Sequence, residues 1–119
     1  MMDRQAIGKA GEDFTCDYLK KCGMKILARN YRAKKGEIDV IARDGSTIVF
    51  VEVKTRSSSA YGTAGEAVTY RKQQMVARTA QWYIMQNHIK ESDFRFDVAE
   101  VSASGPELTM NYLRNAFGV

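Results

Sequence analysis

The sequence is poor in residues that build metal-bound or disulfide-linked scaffolds. Only two of its 119 residues are cysteines, Cys16 and Cys22, and their spacing is not that of a Cys-x-x-Cys pair. The single histidine, His88, has no second histidine beside it. Zinc sites, thioredoxin-type redox chemistry and disulfide scaffolds therefore have no support, because each requires more of these residues or a different spacing.

Long apolar runs and prolines are also scarce. No segment approaches the roughly 20 apolar residues that a membrane-spanning helix requires. The polar start, Met1 to Arg4, lacks the apolar core of a signal peptide. Pro106 is the only proline, so a Pro-rich linker is excluded. We expect a cytoplasmic protein without a membrane segment, folded as a single domain over residues 1–119.

The charge balance leans towards an anionic partner. Lys and Arg number 18 against 14 Asp and Glu, which gives a formal net charge of +4. Nucleic acid is one such partner. Many unrelated small proteins are equally basic, so the net charge favours nucleic acid only slightly.

The first quarter of the chain has helical spacing. We predict a helix from about Asp3 to Lys21. Its expected apolar stripe consists of Ile7, Ala10, Phe14 and Tyr18.

Three strands should follow this helix. A short strand is predicted over Lys25 to Arg32, and β-branched and aromatic residues predict two more, over Gly36 to Arg43 and Ser46 to Thr55. Asp44-Gly45 between the last two is a strong two-residue hairpin signal, because glycine tolerates a positive φ.

The second half predicts a helix and a returning strand. Thr63 to Glu66 has the form of a capping box, after which a long helix should run to about Asn87. Phe94 to Ser102 has the alternation of a strand, and Leu108 to Leu113 is a further strand candidate. A helical crossover lets strands pair in parallel, so the pattern indicates an α/β domain with a mixed sheet.

The hairpin makes a geometric prediction about acidic residues. With a two-residue loop at Asp44-Gly45, Asp39 faces Phe50 and Glu37 faces Glu52. Paired residues in an antiparallel ladder project to the same side of the sheet. Asp39 and Glu52 are then diagonal neighbours, roughly 7–8 Å apart at the backbone. Two carboxylates at that separation can bind one hard divalent cation.

Two interpretations of this acidic strand remain open. Lys54 shares the face, and alternating Glu and Lys on a strand usually forms a solvated surface. However, Ile48 and Phe50 lie on the same face as Glu52, which indicates a partly buried cluster. A bound cation would remove the repulsion between the carboxylates, and Lys54 would offset part of it.

Other charged residues surround the predicted cluster. Lys72 either points from the second helix to the sheet or extends into solvent, and Glu12 is either a metal contact or an exposed helical residue. A basic rim flanks the acidic strands and suits phosphate contacts. It consists of Arg32, Lys35 and Arg56. An ordinary solvated loop is the alternative for each of the three.

Three residues are predicted to be structural. Trp82 and Tyr83 are interpreted as packing residues rather than platforms on which bases stack. In the late strand, Asp97 alternates with its apolar neighbours and so projects to the opposite face. It is also assigned a structural role.

The two central motifs, Gly36-Glu37-Ile38-Asp39 and Phe50-Val51-Glu52-Val53-Lys54-Thr55-Arg56, carry a family resemblance. The chain resembles the YraN-like family of uncharacterised small bacterial proteins, which is related to archaeal Holliday junction resolvases and to the PD-(D/E)XK nuclease superfamily. The likeness covers nearly the whole chain. It includes Gly11-Glu12, Asn30-Tyr31-Arg32, Lys72 and Arg95-Phe96-Asp97.

The resemblance implies a restriction-endonuclease-like α-β-β-β-α-β core, with a mixed sheet flanked by two helices. By analogy Asp39, Glu52 and the Val53 carbonyl would hold Mg²⁺ or Mn²⁺. Lys54 would orient the attacking water or stabilise charge on the phosphate. Glu12 would match the helix-borne acidic residue of the resolvases.

The expected function is therefore metal-dependent endonuclease activity on DNA, with branched or damaged DNA as expected substrates. Contacts to DNA are expected from Arg32, Lys35, Arg56 and Lys72. The alternatives are a non-catalytic nucleic-acid-binding module of the same fold and a protein-interaction domain with a structural acidic cluster. Junction resolution would require paired active sites, so a homodimer is one expected arrangement, although the sequence identifies no dimer surface.

Overall fold

The computed structural model of the chain describes residues 3–57 and 68–118. Two helices and five strands occur in these ranges. They are α1 (Arg4–Lys21), β1 (Lys25–Ala33), β2 (Gly36–Asp44), β3 (Thr47–Arg56), α2 (Tyr70–Gln86), β4 (Asp93–Ser102) and β5 (Thr109–Phe117). No helix in the described ranges has both the length and the apolarity needed to cross a membrane.

The strands form one mixed sheet in the order β1-β2-β3-β4-β5. The pairs β1–β2, β2–β3 and β4–β5 are antiparallel, whereas β3 and β4 run parallel across the α2 crossover. Helix α1 packs against one face of the sheet and α2 against the other. The predicted α/β class and mixed sheet between two helices are confirmed. The further strand candidate over Leu108 to Leu113 is confirmed as β5, which lies beyond the core that the resemblance implies.

The predicted hairpin register is wrong by two residues. The loop consists of Gly45 and Ser46, because Asp44 pairs with Thr47. Gly45 has a φ of +62° at the first loop position, where a type II′ turn requires glycine. Ile41, rather than Asp39, therefore faces Phe50. Because the slip is an even number of residues, Val40, Ile41 and Ala42 stay on their predicted faces. Ile38 does not, because it packs on the same side of the sheet as Ile41.

The predicted apolar stripe of α1 is also wrong. Its members, Ile7, Ala10, Phe14 and Tyr18, are only partly buried. The residues that α1 buries are instead mostly small: Gly11, Thr15, Cys16 and Leu19. Small side chains allow the helix to approach β3 so closely that a Cβ atom added at Gly11 would overlap the Thr55 side chain.

Helix α2 begins later than the predicted capping box, which lies outside the described residues. Its N-cap is Thr69, whose hydroxyl oxygen accepts a hydrogen bond from the Lys72 N–H at 3.2 Å. This cap satisfies one of the free N–H groups of the first turn. Lys72 thus lies in the first turn of α2, and the helix ends at Gln86, close to the predicted end.

Aromatic residues fill the core between the sheet and α2. Phe50 stacks on Phe96 with ring centroids 5.5 Å apart, and Phe96 stacks on Phe117. Tyr83 of α2 contacts Phe50 edge to face, which confirms its predicted packing role. The position of α2 relative to β3 depends on this cluster.

Substitution of Gly11 by alanine should destabilise the fold. The added methyl group would overlap the Thr55 side chain, so the free energy of unfolding should fall by about 1–3 kcal/mol. Gly8, in the same helix, is the matched control because a Cβ there meets nothing within 4 Å. Gly8→Ala should raise stability by about 0.5–1 kcal/mol through helix propensity. Urea unfolding measures both changes, and equal stability of the two variants would contradict the close approach.

Candidate active site

The candidate site forms where β2 and β3 separate. Their ladder ends with the pair Val40–Val51, so Asp39 and Glu52 occupy the next positions outward. Asp39 Oδ2 accepts a hydrogen bond from the Val53 N–H at 2.8 Å. A carboxylate oxygen thus takes the place that a strand carbonyl would otherwise fill.

The alternation of side chains along β2 breaks at the same residue. Ile38 packs in the core cluster under α2, whereas Val40, two residues on, packs in the cluster under α1. Residues two apart in a regular strand share a face. The change of face places Asp39 at the junction between β2 and β3 rather than on a flat sheet surface.

Glu52 is held on the α2 side of the sheet by an ion pair. Its side chain is only 5% exposed, and Lys72 Nζ lies 3.2 Å from Glu52 Oε1. Lys72 thus points to the sheet, as one of the two interpretations of the sequence expected. A buried carboxylate without such a partner would carry a large desolvation penalty.

The protonation of Asp39 reflects this crowding. Burial, followed by the negative charge of Glu52, raises the pKa of Asp39 from 3.8 to about 7. The Val53 N–H and Lys72 act in the opposite direction, and Glu12 adds a smaller upward contribution. Two carboxylates in one partly buried site disfavour a second negative charge. The shift supports the predicted proximity of Asp39 and Glu52.

Lys54 follows Glu52 by two residues and therefore projects to the same face of β3. Among the residues that the structure describes, no acidic side chain lies within ion-pairing distance of Lys54. Its neighbour across the β3–β4 ladder is Glu100, whose buried Oε2 has no hydrogen-bond partner in the described part of the chain. Glu100 was not among the predicted site residues. Phe96, Val98 and Glu100 follow one another at intervals of two residues in β4 and therefore share a face. This spacing could have placed Glu100 on the same face as Lys54.

Glu12 approaches the site from α1, across the sheet from Glu52. Its Oε1 accepts a hydrogen bond from Asn30 Nδ2 at 3.1 Å, and Arg29 lies 3.7 Å away. Asn30 has a φ of +50°, a conformation that asparagine adopts more readily than most residues. Glu12 is thus held by β1, close enough to affect Asp39 but on the other side of the sheet.

The four basic residues predicted to contact DNA are not gathered in one patch. Lys72 is engaged with Glu52, and Arg32 forms an exposed pair with Glu37 at 3.6 Å. Arg56 lines a cleft of about 580 Å³ between α1 and the end of β3. Lys35 lies near the N-terminal half of α2 instead.

Asp97 is structural, as predicted. It is fully buried in β4 and accepts hydrogen bonds from Arg95, from the Tyr112 hydroxyl at 2.6 Å and from the Asn115 N–H at 2.8 Å. Arg95 also reaches Asp44 at 3.2 Å. This network ties β5 and the β2–β3 hairpin to β4, away from the Asp39–Glu52 pair.

The donor set at the junction is small. Within residues 3–57 and 68–118, no three His, Cys, Asp or Glu side chains are grouped closely enough to hold a metal ion. Asp39 and Glu52 offer two carboxylates. Mg²⁺ is often bound by one or two carboxylates, with water and substrate phosphate completing its coordination. The pair therefore fits a hard cation of this kind and does not fit zinc.

The fold and the site define an α/β protein with a restriction-endonuclease-like core and a carboxylate pair where two central strands separate. The chain belongs to the uncharacterised protein family UPF0102, whose family model matches residues 11–101. The expected membership in a family of uncharacterised bacterial proteins is thus confirmed.

Three relatives show how far the similarity extends. A UPF0102 protein of Alkaliphilus oremlandii is 50% identical over 113 residues, which cover 93% of this chain and 97% of the relative. One from Caldicellulosiruptor saccharolyticus is 43% identical and covers 98% of this chain and all of its own length. One from Clostridium botulinum is 49% identical, with 95% and 94% covered. These similarities show the family and leave the activity open.

The raised pKa of Asp39 predicts how stability depends on pH. A carboxyl group whose pKa is higher in the folded than in the unfolded state contributes stability below about pH 4, and the contribution is lost as pH rises to about 7. Asp39→Asn removes the titration while the amide oxygen can still accept from Val53. The variant should match the wild type near pH 4 and exceed its stability at pH 8 by at least about 1 kcal/mol.

Urea unfolding between pH 4 and pH 8 in the presence of EDTA would measure this difference. Asp17→Asn, an exposed substitution on α1, controls for the loss of one negative charge. Parallel wild-type and Asp39→Asn curves across the whole range would show that Asp39 is not destabilised by its surroundings.

Proposed function

We propose that the protein is a metal-dependent phosphodiesterase that cleaves DNA. One observation carries the proposal: two carboxylates, Asp39 and Glu52, are crowded together in a partly buried site, and Lys54, which has no acidic partner among the described residues, projects from the same strand face as Glu52. A purely structural cluster would not require crowded carboxylates. Unfavourable local chemistry of this kind tends to be retained at functional sites.

Asp39, Glu52 and the Val53 carbonyl would hold Mg²⁺ or Mn²⁺. When bound, the ion would lower the pKa of a coordinated water and neutralise charge on the scissile phosphate. The donors fit because they are hard oxygen atoms, and because Lys72 is the single cation that pairs with Glu52 among the described residues. A divalent ion would relieve the repulsion that raises the pKa of Asp39.

The residues of the chain have separate roles in this mechanism. The Val53 N–H keeps the Asp39 carboxylate aimed at the junction, and Lys72 holds Glu52 on the α2 side. Lys54 supplies fixed positive charge where negative charge develops on the phosphate. Glu12 is held by Asn30 across the sheet and would act on water or on Asp39 rather than as a primary ligand.

The test is metal-dependent cleavage of single-stranded, nicked and four-way-junction DNA. Wild-type protein in Mn²⁺ or Mg²⁺ should cleave at least one of these substrates. Asp39→Asn and Lys54→Met should each lose at least about 100-fold, the scale expected when a charge-stabilising group is removed. Asp17→Asn should cleave as the wild type does. Equal activity of wild type and Asp39→Asn would reject the assignment.

A binding module of the same fold is the competing function. It predicts salt-sensitive DNA binding without cleavage in either metal. Thermal unfolding separates the two cases, because a bound ion stabilises the folded state by about 2.7 kcal/mol at 100 times its Kd. Mn²⁺ should raise the Tm of wild type and not that of Asp39→Asn. No shift in either protein would remove the metal centre from the proposal.

A further inference from the structure

A groove runs along one side of α2, between that helix and the turn that joins β1 to β2. Its first section is lined by Lys35, Thr69, Arg71, Lys72, Met75 and Arg78. Its second section is lined by Ala33, Lys34, Lys35, Arg78, Thr79 and Trp82. Lys35 and Arg78 line both sections, so the two sections adjoin. Its first section reaches Lys72, the residue that contacts Glu52.

The helical wall of the groove is a regular stripe. Arg71, Met75, Arg78 and Trp82 follow one another at intervals of four, three and four residues, which places them on one side of the helix. Gly36 is packed so tightly under Met75 and Thr79 that an added Cβ would overlap both side chains. The turn carrying Lys34 and Lys35 is therefore fixed against this stripe.

The groove is strongly cationic, and its charges lack acidic partners within residues 3–57 and 68–118. Helix α2 contains no Asp or Glu, and no acidic residue is among the described residues that line the groove. In the described ranges, no ion pair joins an acidic side chain to Lys34, Lys35, Arg71 or Arg78. Some cations outside the groove, such as Arg29, Arg95 and Arg114, do have acidic partners.

Trp82 gives the groove a flat aromatic surface at its far end. The side chain is 47% exposed, which corrects the expectation that Trp82 is a packing residue. Tyr83, beside it in sequence, is buried in the core. An exposed aromatic ring next to cations is the combination on which unpaired bases stack while phosphates meet Lys and Arg.

We propose that this groove binds a single-stranded segment of DNA, with Arg71, Arg78 and the Lys34–Lys35 turn contacting phosphates and Trp82 stacking on an unpaired base. The proposal rests on the proposed function in taking DNA as the substrate. It adds that the substrate contains unpaired nucleotides. Lys72 and Trp82 are ten residues apart, or roughly 15 Å along the helix, so the stacked base lies a few nucleotides from the carboxylate pair.

Trp82 is the only tryptophan in the chain, so its fluorescence reports on the groove directly. The experiment titrates wild-type protein in EDTA with a 16-nucleotide oligothymidine and, separately, with a blunt duplex of the same length. The single strand should quench Trp82 fluorescence and bind at least tenfold more tightly than the duplex. Because EDTA prevents cleavage, the result does not depend on whether the protein is a nuclease.

Five variants test the roles of the groove residues by fluorescence anisotropy of labelled oligothymidine. Trp82→Ala should weaken binding by about tenfold, whereas Trp82→Phe should retain most of it. Met85→Ala controls for loss of an exposed apolar side chain on the same helix. Arg78→Gln should weaken binding and lower the slope of log K against log salt by about 0.7. Arg43→Gln, exposed near the opposite end of β2, should leave the slope unchanged.

The outcomes separate this proposal from the proposed function. Tight single-strand binding that depends on Trp82 and Arg78 supports the groove even if no DNA is cleaved. The proposal is overturned if oligothymidine does not quench Trp82, if Trp82→Ala binds as the wild type does, or if anionic lipid vesicles shift the fluorescence and DNA does not. Cleavage of DNA by a Trp82→Ala variant with unchanged affinity would retain the nuclease and discard the groove.

Discussion

The hydrogen bond from the Val53 N–H to Asp39 is the interaction on which the site depends. A strand N–H normally bonds a carbonyl of the neighbouring strand. Here a carboxylate accepts it, at the point where the β2–β3 ladder ends. The bond keeps Asp39 beside Glu52 although burial and like charge oppose two ionised carboxylates. The end of the β2–β3 ladder and the crowding of the two acids therefore coincide at this bond.

The two helices support this junction in different ways. Helix α1 packs through small residues, with Gly11 against Thr55, and carries Glu12 to within electrostatic reach of Asp39. Helix α2 packs through the aromatic cluster around Phe50 and places Lys72 on Glu52. Each helix thus contributes one charged residue from its N-terminal half, and the sheet between them keeps these residues on opposite faces.

The sequence predicted that Glu52 and Lys54 share one face of β3, but it predicted neither the strand register nor the break in alternation at Asp39. Alternation alone places Asp39, Glu52 and Lys54 together, and an even register slip cannot change a face. The register itself depends on which residue takes a positive φ, and Gly45 fits both the predicted loop and the observed one. The stripe of α1 was mistaken because large apolar residues were expected at the interface, whereas close approach to β3 requires small ones.

Charge compensation connects the junction with the α2 groove. Asp44, Glu52 and Asp97 have cationic partners, whereas Lys54 and the groove cations have no acidic partners among the described residues. Uncompensated like charges repel one another, and folding does not require them. A polyanion that meets Arg71 and Arg78 and reaches Lys54 would neutralise both sets together. One extended ligand therefore accounts for the cations at both places, whereas a small anion would account for only one.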